Sequence, residues 1–445
     1  MRKQPTVSSR ACQVPAPTNE HKAMISRIAR VFSEEVVDGL RKSSGYNERL
    51  RVATAQRLLL TVVEAFCLGC TLAFAPLRAV FLARFGNIQK CPFRNRFTDK
   101  NAPGFFRQAL LYFVLTVVGD SKQVLTGPLD CFDDVQVYDC TSQRVPARGR
   151  ERMPSCAKGK AGAKVLMAYS LKTGTIVDGL CAAQKTSDRK LWRTLVGKLV
   201  PNVLYLMDLG FFCKGVFSDA LAARAHVLMR LKGKVKLKVV AHMTQKGYVQ
   251  LPAWSLGTYL KTVPKRKGTL YDLDIVWTYE KKPVVLRLVG YVHCRKQIRW
   301  YVTTAERDLL SADQVVQAYR LRWHVELLFR ELKQGADLGR ADTADPNAIA
   351  ALNYGAMLGH ALLRSIRIVA SISQQIPIEE LRPLACAAIV KAFVRSIFDA
   401  LLEPSTSALE KVNEVISGVI AYGARERSPS RSRARIALEL GAVGA

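Results

Sequence analysis

The chain reads as an α/β protein with helical regions at both ends, and three changes of pattern along its 445 residues carry that reading. Apolar residues recur at helical spacing from His21 to about Val118, at strand spacing from Val135 to about Thr304, and at helical spacing again after Ser311. At roughly 150 residues per domain there is room for about three such units.

The first twenty residues are polar and rich in Pro and Ser, and are expected to be disordered. They contain no apolar stretch of the kind a secretory signal requires, so none is expected. Residues 21–130 form the expected helical N-terminal domain, with breakers at Gly45 to Asn47 and Asn101 to Gly104. The longest apolar run, Leu58 to Leu77, carries Glu64, Gly69 and Pro76, which favours a buried helical hairpin over a membrane span. Eleven cysteines, an odd number scattered along a long chain, suggest reduced thiols and a cytoplasmic protein. Cys67 and Cys70 form a C-x2-C pair inside the apolar run, with no second pair at zinc-site spacing, so they read as core residues.

Strands are expected at 135–141, 163–174, 175–183 and 203–208, with helices at 188–200 and about 214–224. A stretch from Ala220 to Tyr271 then holds eleven Lys or Arg and no Asp or Glu. Within it Lys232, Lys234, Lys236 and Lys238 alternate with smaller or apolar residues, which would set four ammonium groups on one face of a strand. Either an edge strand defended by lysines or a phosphate-facing surface fits that pattern. Further strands run to about Thr304, and helices are expected at roughly 312–336, 346–373, 378–402 and 407–424. Lys391, Arg395 and Asp399 mark a solvated face on the third of these. The tail RERSPSRSRAR (425–435), with five Arg and one Glu, reads as a disordered basic arm.

The net charge of +31 and a pI near 9.9 sit on a chain that is 49% hydrophobic. That combination excludes a disordered basic tail as the whole protein and points to a polyanionic partner, with nucleic acid preferred over a membrane surface. No G-x-x-x-x-G-K-[ST], no H-E-x-x-H and no G-x-S-x-G occurs, so nucleotide-driven, zinc-peptidase and α/β-hydrolase chemistry have no foothold.

Three acids stand out. Asp139 closes a strand on the face set by Val135 and Val137, and Asp208 ends the wholly apolar VLYLM run. Carboxylates at the mouths of adjacent strands would supply the convergent oxygens that a hard divalent cation needs, although each alone also fits a turn cap. On the helix that follows, taking about 100° per residue, Tyr319, Arg322, Glu326 and Lys333 fall within an arc of about 60°. Leu321, Val325, Leu328, Phe329 and Leu332 form the adjoining apolar face that would dock the helix on the sheet. A solvated, salt-bridged stripe remains an alternative for the polar arc.

The spacing Tyr319-x2-Arg322-x3-Glu326-x6-Lys333, inside AYRLRWHVELLFRELKQ, resembles the signature helix of bacterial DDE transposases of the insertion sequence four family. VYDCTSQRVP and LYLMDLGFF resemble that family's two Asp-bearing strands, although Cys140 and Leu209 depart from its common residue types. The resemblance covers roughly residues 50 to 370. It implies an RNase H-like catalytic core at 131–228 and 302–370, a basic β-rich insertion at 229–301, and a helical C-terminal region with a basic tail at 371–445. The helical region at 21–130 would bind DNA. Asp139, Asp208 and Glu326 would be the catalytic acids and would hold two Mg²⁺ ions, with Mn²⁺ able to substitute. Tyr319, Arg322 and Lys333 would bind DNA. The implied partners are double-stranded transposon ends and target DNA, acted on by a homodimer, with no membrane. Trp277 and Trp300 are candidates for receiving a flipped base, with core packing the preferred reading. A nuclease that does not join strands, and a catalytically inactive DNA-binding derivative, are the alternatives.

Overall fold

The computed structural model describes residues 19–46, 52–119, 127–194, 199–294, 297–374, 381–402, 414–416 and 418–419. The expected disordered start, the basic tail and most of the helix expected at 407–424 lie outside the described residues.

Six helices come first: α1 (Asn19–Val31), α2 (Glu34–Ser44), α3 (Ala55–Cys67), α4 (Phe74–Phe85), α5 (Lys90–Thr98) and α6 (Ala102–Phe113). Ser33 and Thr54 cap α2 and α3 through their side-chain oxygens, and Gly45 closes α2 in the left-handed region. The apolar run is the α3–α4 hairpin. Its one acid, Glu64, is neutralised by Arg84 at 2.7 Å.

The sheet that follows has ten strands in the order β3-β2-β1-β4-β5-β10-β9-β8-β6-β7. β1 (Asp134–Val145), β2 (Ala161–Ser170) and β3 (Thr175–Ala183) form an antiparallel meander, and β4 (Val203–Met207) and β5 (His226–Arg230) add parallel to β1. Three sequential antiparallel strands with two parallel strands beyond the first give the RNase H-like order. α7 (Asp188–Arg193) and α8 (Lys214–Ala222) cover one face.

The basic segment is no separate layer. β6 (Lys238–Thr244), β7 (Gly247–Ser255), β8 (Leu270–Tyr279), β9 (Lys282–Cys294) and β10 (Gln297–Thr303) continue the same sheet, because β10 pairs antiparallel with β5. A short helix, α9 (Leu256–Thr262), lies between β7 and β8. The expectation of four lysines on one strand face is corrected here. Residues 231–237 form no strand, Gly233 and Lys234 make a turn, and Lys234 has φ 65°, which breaks the alternation before β6 begins at Lys238.

Against the other face pack α10 (Ala312–Arg320), α11 (Trp323–Ala336) and α12 (Pro346–Gln374), and α13 (Pro383–Leu402) packs on the helices α1, α3, α11 and α12. α12 is long and apolar enough to cross a membrane by composition, but most of it is buried among α3, α6 and β3. The face expected to be solvated on α13 is partly docked, since Asp399 reaches Arg84 at 2.8 Å.

Candidate active site

Two adjacent parallel strands bring the first two acids together. The β1–β4 register ends at Tyr138↔Met207, so Asp139 and Asp208 are the next residues on each strand, side by side at the carboxyl ends. Alternation sets Asp139 on the face of Val135 and Val137, and Asp208 on that of Leu204 and Leu206; these four apolar residues are fully buried in the core beneath α11. The site therefore opens on the side where α11 crosses.

The signature segment is two helices. α10 ends at Arg320 with Leu321 as its C-cap, and Arg322 is the N-cap of α11, so the single helix expected over 312–336 breaks at Leu321 and Arg322. The apolar face nonetheless docks as expected, with Leu321, Val325, Leu328, Phe329 and Leu332 all buried. Glu326 falls in the first turn of α11, one turn after Arg322.

Arg322 sits among all three acids. Its Nη1 donates to Asp139 Oδ2 at 2.7 Å, its Nη2 donates to Glu326 Oε1 at 2.7 Å, and its Nε lies 3.9 Å from Asp208 Oδ1. The guanidinium is 18% exposed, against 16% for Asp139, 31% for Glu326 and 44% for Asp208. The site thus grades from a buried floor at Asp139 to an open rim at Asp208. Burial raises the Asp139 carboxyl to about 6; Arg322 and the Cys140 N–H oppose that rise, while Asp208 and Glu326 add to it. The Cys140 N–H holds Asp139 Oδ1 at 2.7 Å and leaves Oδ2 as the oxygen facing Arg322.

Among the described residues no group of three or more His, Cys, Asp or Glu is gathered as a ready metal site. The donor chemistry still fits a hard divalent cation, because three carboxylates converge on one positive group and no soft ligand intrudes.

Tyr319 and Lys333 part company. Tyr319 is buried against Tyr301, and its hydroxyl donates to the carbonyl of Met207 at 3.4 Å, next to Asp208. Burial pushes that hydroxyl up to about 12, so it stays a proton donor. Lys333 lies two turns beyond Glu326 on α11 and is exposed. Trp277 is buried against Phe212 and Phe217, and Trp300 stacks on Tyr271 and lies flat over Gly290.

Support from beneath was not legible in the sequence. On the opposite face of the sheet Lys164 Nζ donates to Asp188 Oδ1 at 2.6 Å, at the start of α7. A Cβ at Gly210 would lie 2.1 Å from Asp188 Oδ2, so only glycine fits there without displacing that carboxylate. The sequence showed the Asp208-Leu-Gly210 motif but not the partner that requires its glycine.

Residues 130–362, just over half of the chain, match the family described as Transposase DDE domain. The chain belongs to the DDE transposases. This transposase is similar to those of bacterial insertion sequences. The transposase for insertion sequence element IS231B of Bacillus thuringiensis subsp. berliner is 19% identical over 360 residues, covering 68% of this chain and 73% of that one. The transposase for IS231D of Bacillus thuringiensis subsp. finitimus is 21% identical over 355 residues, with the same coverage of 68% and 73%. A solved structure, the piggyBac transposase synaptic complex with hairpin DNA, is 14% identical with a TM-score of 0.47, covering 93% of this chain and 88% of that one.

Proposed function

We propose that this DDE transposase binds the terminal inverted repeats of its element, cuts the DNA at their ends and joins those ends to target DNA by phosphodiester transesterification. The observation that carries the reading is the convergence of Asp139, Asp208 and Glu326 on one guanidinium, at the carboxyl ends of parallel strands and beneath α11. Asp139, Asp208 and Glu326 would hold the divalent ions, Mg²⁺ or Mn²⁺. When bound, such a pair supplies an activated oxygen nucleophile and charge stabilisation at the leaving oxygen.

The chain's own groups do the positioning. Asp139 is the rigid member, fixed by its strand and by the Cys140 N–H. Tyr319 steadies the end of β4 through Met207 and so sets where Asp208 begins. Arg322 neutralises the acids in the DNA-free protein; once they are neutralised otherwise, its planar fork of donors suits a phosphate of the DNA end. Lys333, exposed farther along α11, adds a second phosphate contact on the same helix. The active form is a homodimer on paired ends, because an element has two ends to cut and join in concert.

A strand-transfer assay with pre-cleaved ends tests the reading. Joined products in the presence of Mg²⁺ support it. Hydrolysis without joining would make the chain a nuclease, and DNA binding with no metal-dependent cutting would make it an inactive derivative.

A further inference from the structure

A second basic site lies away from the acids. The turn that follows β1 carries Arg148, Arg150 and Arg152, and faces α5 across a cleft of about 450 Å³ lined by Arg94, Arg148, Arg152, Asn95, Thr98 and Asp345. Both walls are fixed. Asn347 Nδ2 donates to the Thr98 carbonyl at 3.2 Å, tying the start of α12 to α5. Gly149 is buried against the other wall, where an added Cβ would lie 3.0 Å from Val145 Cγ1 and 3.1 Å from Ala344 Cβ.

Positive charge is in excess there. Asp345, the one acid in the lining, accepts from the backbone N–H groups of Asn347 and Ala348 at 3.0 and 3.1 Å and so caps α12. It pairs with Arg152 at 3.2 Å, yet that arginine side chain remains 63% exposed. Arg94 lies over the Phe74 ring, and Arg148 donates at 3.4 Å only to the carbonyl of Asp342. Among the described residues neither Arg94 nor Arg148 has a carboxylate partner. Among the described residues no aromatic ring lines the cleft, so they offer nothing there for a base to stack on.

We infer that this cleft grips the phosphate backbone of duplex DNA at a distance from the cut, independently of sequence. The inference rests on the proposed function, and it adds a contact surface that the acid site does not need. Guanidinium forks match phosphate oxygens two at a time, and Asn95 and Thr98 add neutral hydrogen-bonding groups of the kind that position a backbone. From Asp139 to Val145, where β1 gives way to the turn bearing the arginines, is six residues of strand, roughly 20 Å, which is the length of about six base pairs of duplex.

The test measures binding of the full chain to a duplex of arbitrary sequence, about 30 base pairs long, across a range of salt concentrations. Each lost phosphate contact lowers the slope of log K against log salt by about 0.9. The triple variant R94Q/R148Q/R152Q is expected to lower that slope by about 2 to 3 and to weaken binding at least about tenfold at low salt, at an unchanged thermal midpoint. Arg150→Gln, on the same turn but outside the cleft lining, is expected to change the slope by less than about 1. If the triple variant does not fold, Arg148→Gln alone is expected to lower the slope by about 1. A wild-type protein that binds duplex while the folded variant keeps its full slope overturns the inference. A wild-type protein that binds no duplex at all overturns the proposed function itself.

Discussion

Replacing Arg322 with Gln should make the DNA-free protein bind divalent ions more tightly. In the structure the guanidinium holds Asp139 and Glu326 at 2.7 Å each, so an ion entering the acid cluster must displace both contacts. A hydrogen bond to a charged group is worth about 1.5–3 kcal/mol, which sets a gross cost of about 3–6 kcal/mol for the pair. The released arginine regains water, and Glu326 is partly exposed, so about half of that cost survives. A net of about 1.4–3 kcal/mol corresponds to an affinity gain of about 10- to 100-fold. Calorimetric titration of Mn²⁺ into wild type and R322Q, without DNA and at one pH and salt, measures the gain directly. The variant should also unfold at lower temperature without ions, because its acids are left facing one another, and added Mn²⁺ should restore most of that loss. Equal or weaker ion binding by the variant would refute the reasoning, because it would mean that Arg322 does not compete for the carboxylates.

Three further outcomes are expected. Arg84→Met, which strands Glu64 in the α3–α4 hairpin where the two side chains are 10% and 7% exposed, should cost about 3–5 kcal/mol in urea unfolding; a loss below about 1 kcal/mol would mean the pair is not buried in solution. Gly210→Ala should lower DNA cleavage by about tenfold or more in a folded protein, because the new methyl must push Asp188 off Lys164 or shift the start of the Asp208 turn; unchanged cleavage would remove that packing from the account. Burial, with help from Arg364, pushes half-buried His324 down to about 4, below its unfolded value. The folded state therefore takes up that proton later than the unfolded chain, and stability falls as pH drops from about 6.5 towards 4, by roughly 1–2 kcal/mol near pH 5. His324→Gln should flatten that part of the stability curve, and an unaltered curve would place the titration elsewhere.

Much of the acid site was legible because its signals are local. Asp139 and Asp208 each end a run of strand residues, and Glu326 shares a helix with an apolar face at regular spacing; each pattern alone also fitted a turn cap or a solvated stripe, and the resemblance of the signature segment grouped them as one candidate site. The break at Leu321 was not legible. Its residues are good helix formers, and the interruption goes with Arg322, at the N-cap position of α11, reaching across to Asp139, a contact 183 residues away in sequence. Alternation misled at Lys232 to Lys238, where a turn at Gly233 and Lys234 overrides a pattern that side-chain types alone would call a strand. The continuity of the sheet through the basic segment depends on β10 meeting β5, a pairing between residues about seventy positions apart. The arginine cleft was hidden for the same reason, since Arg94 and Arg148 are 54 positions apart and line one cleft beside the start of α12, which Asn347 ties to α5.

The most direct measurement is cleavage of a plasmid carrying both ends of the element, in Mg²⁺, by wild type and by Asp139→Asn, Asp208→Asn and Glu326→Gln. The account predicts metal-dependent cutting by the wild type and none by any of the three variants, each of which still binds the ends. Cutting at the wild-type rate by any one of the variants, or cutting by the wild type that survives removal of divalent ions, would contradict it.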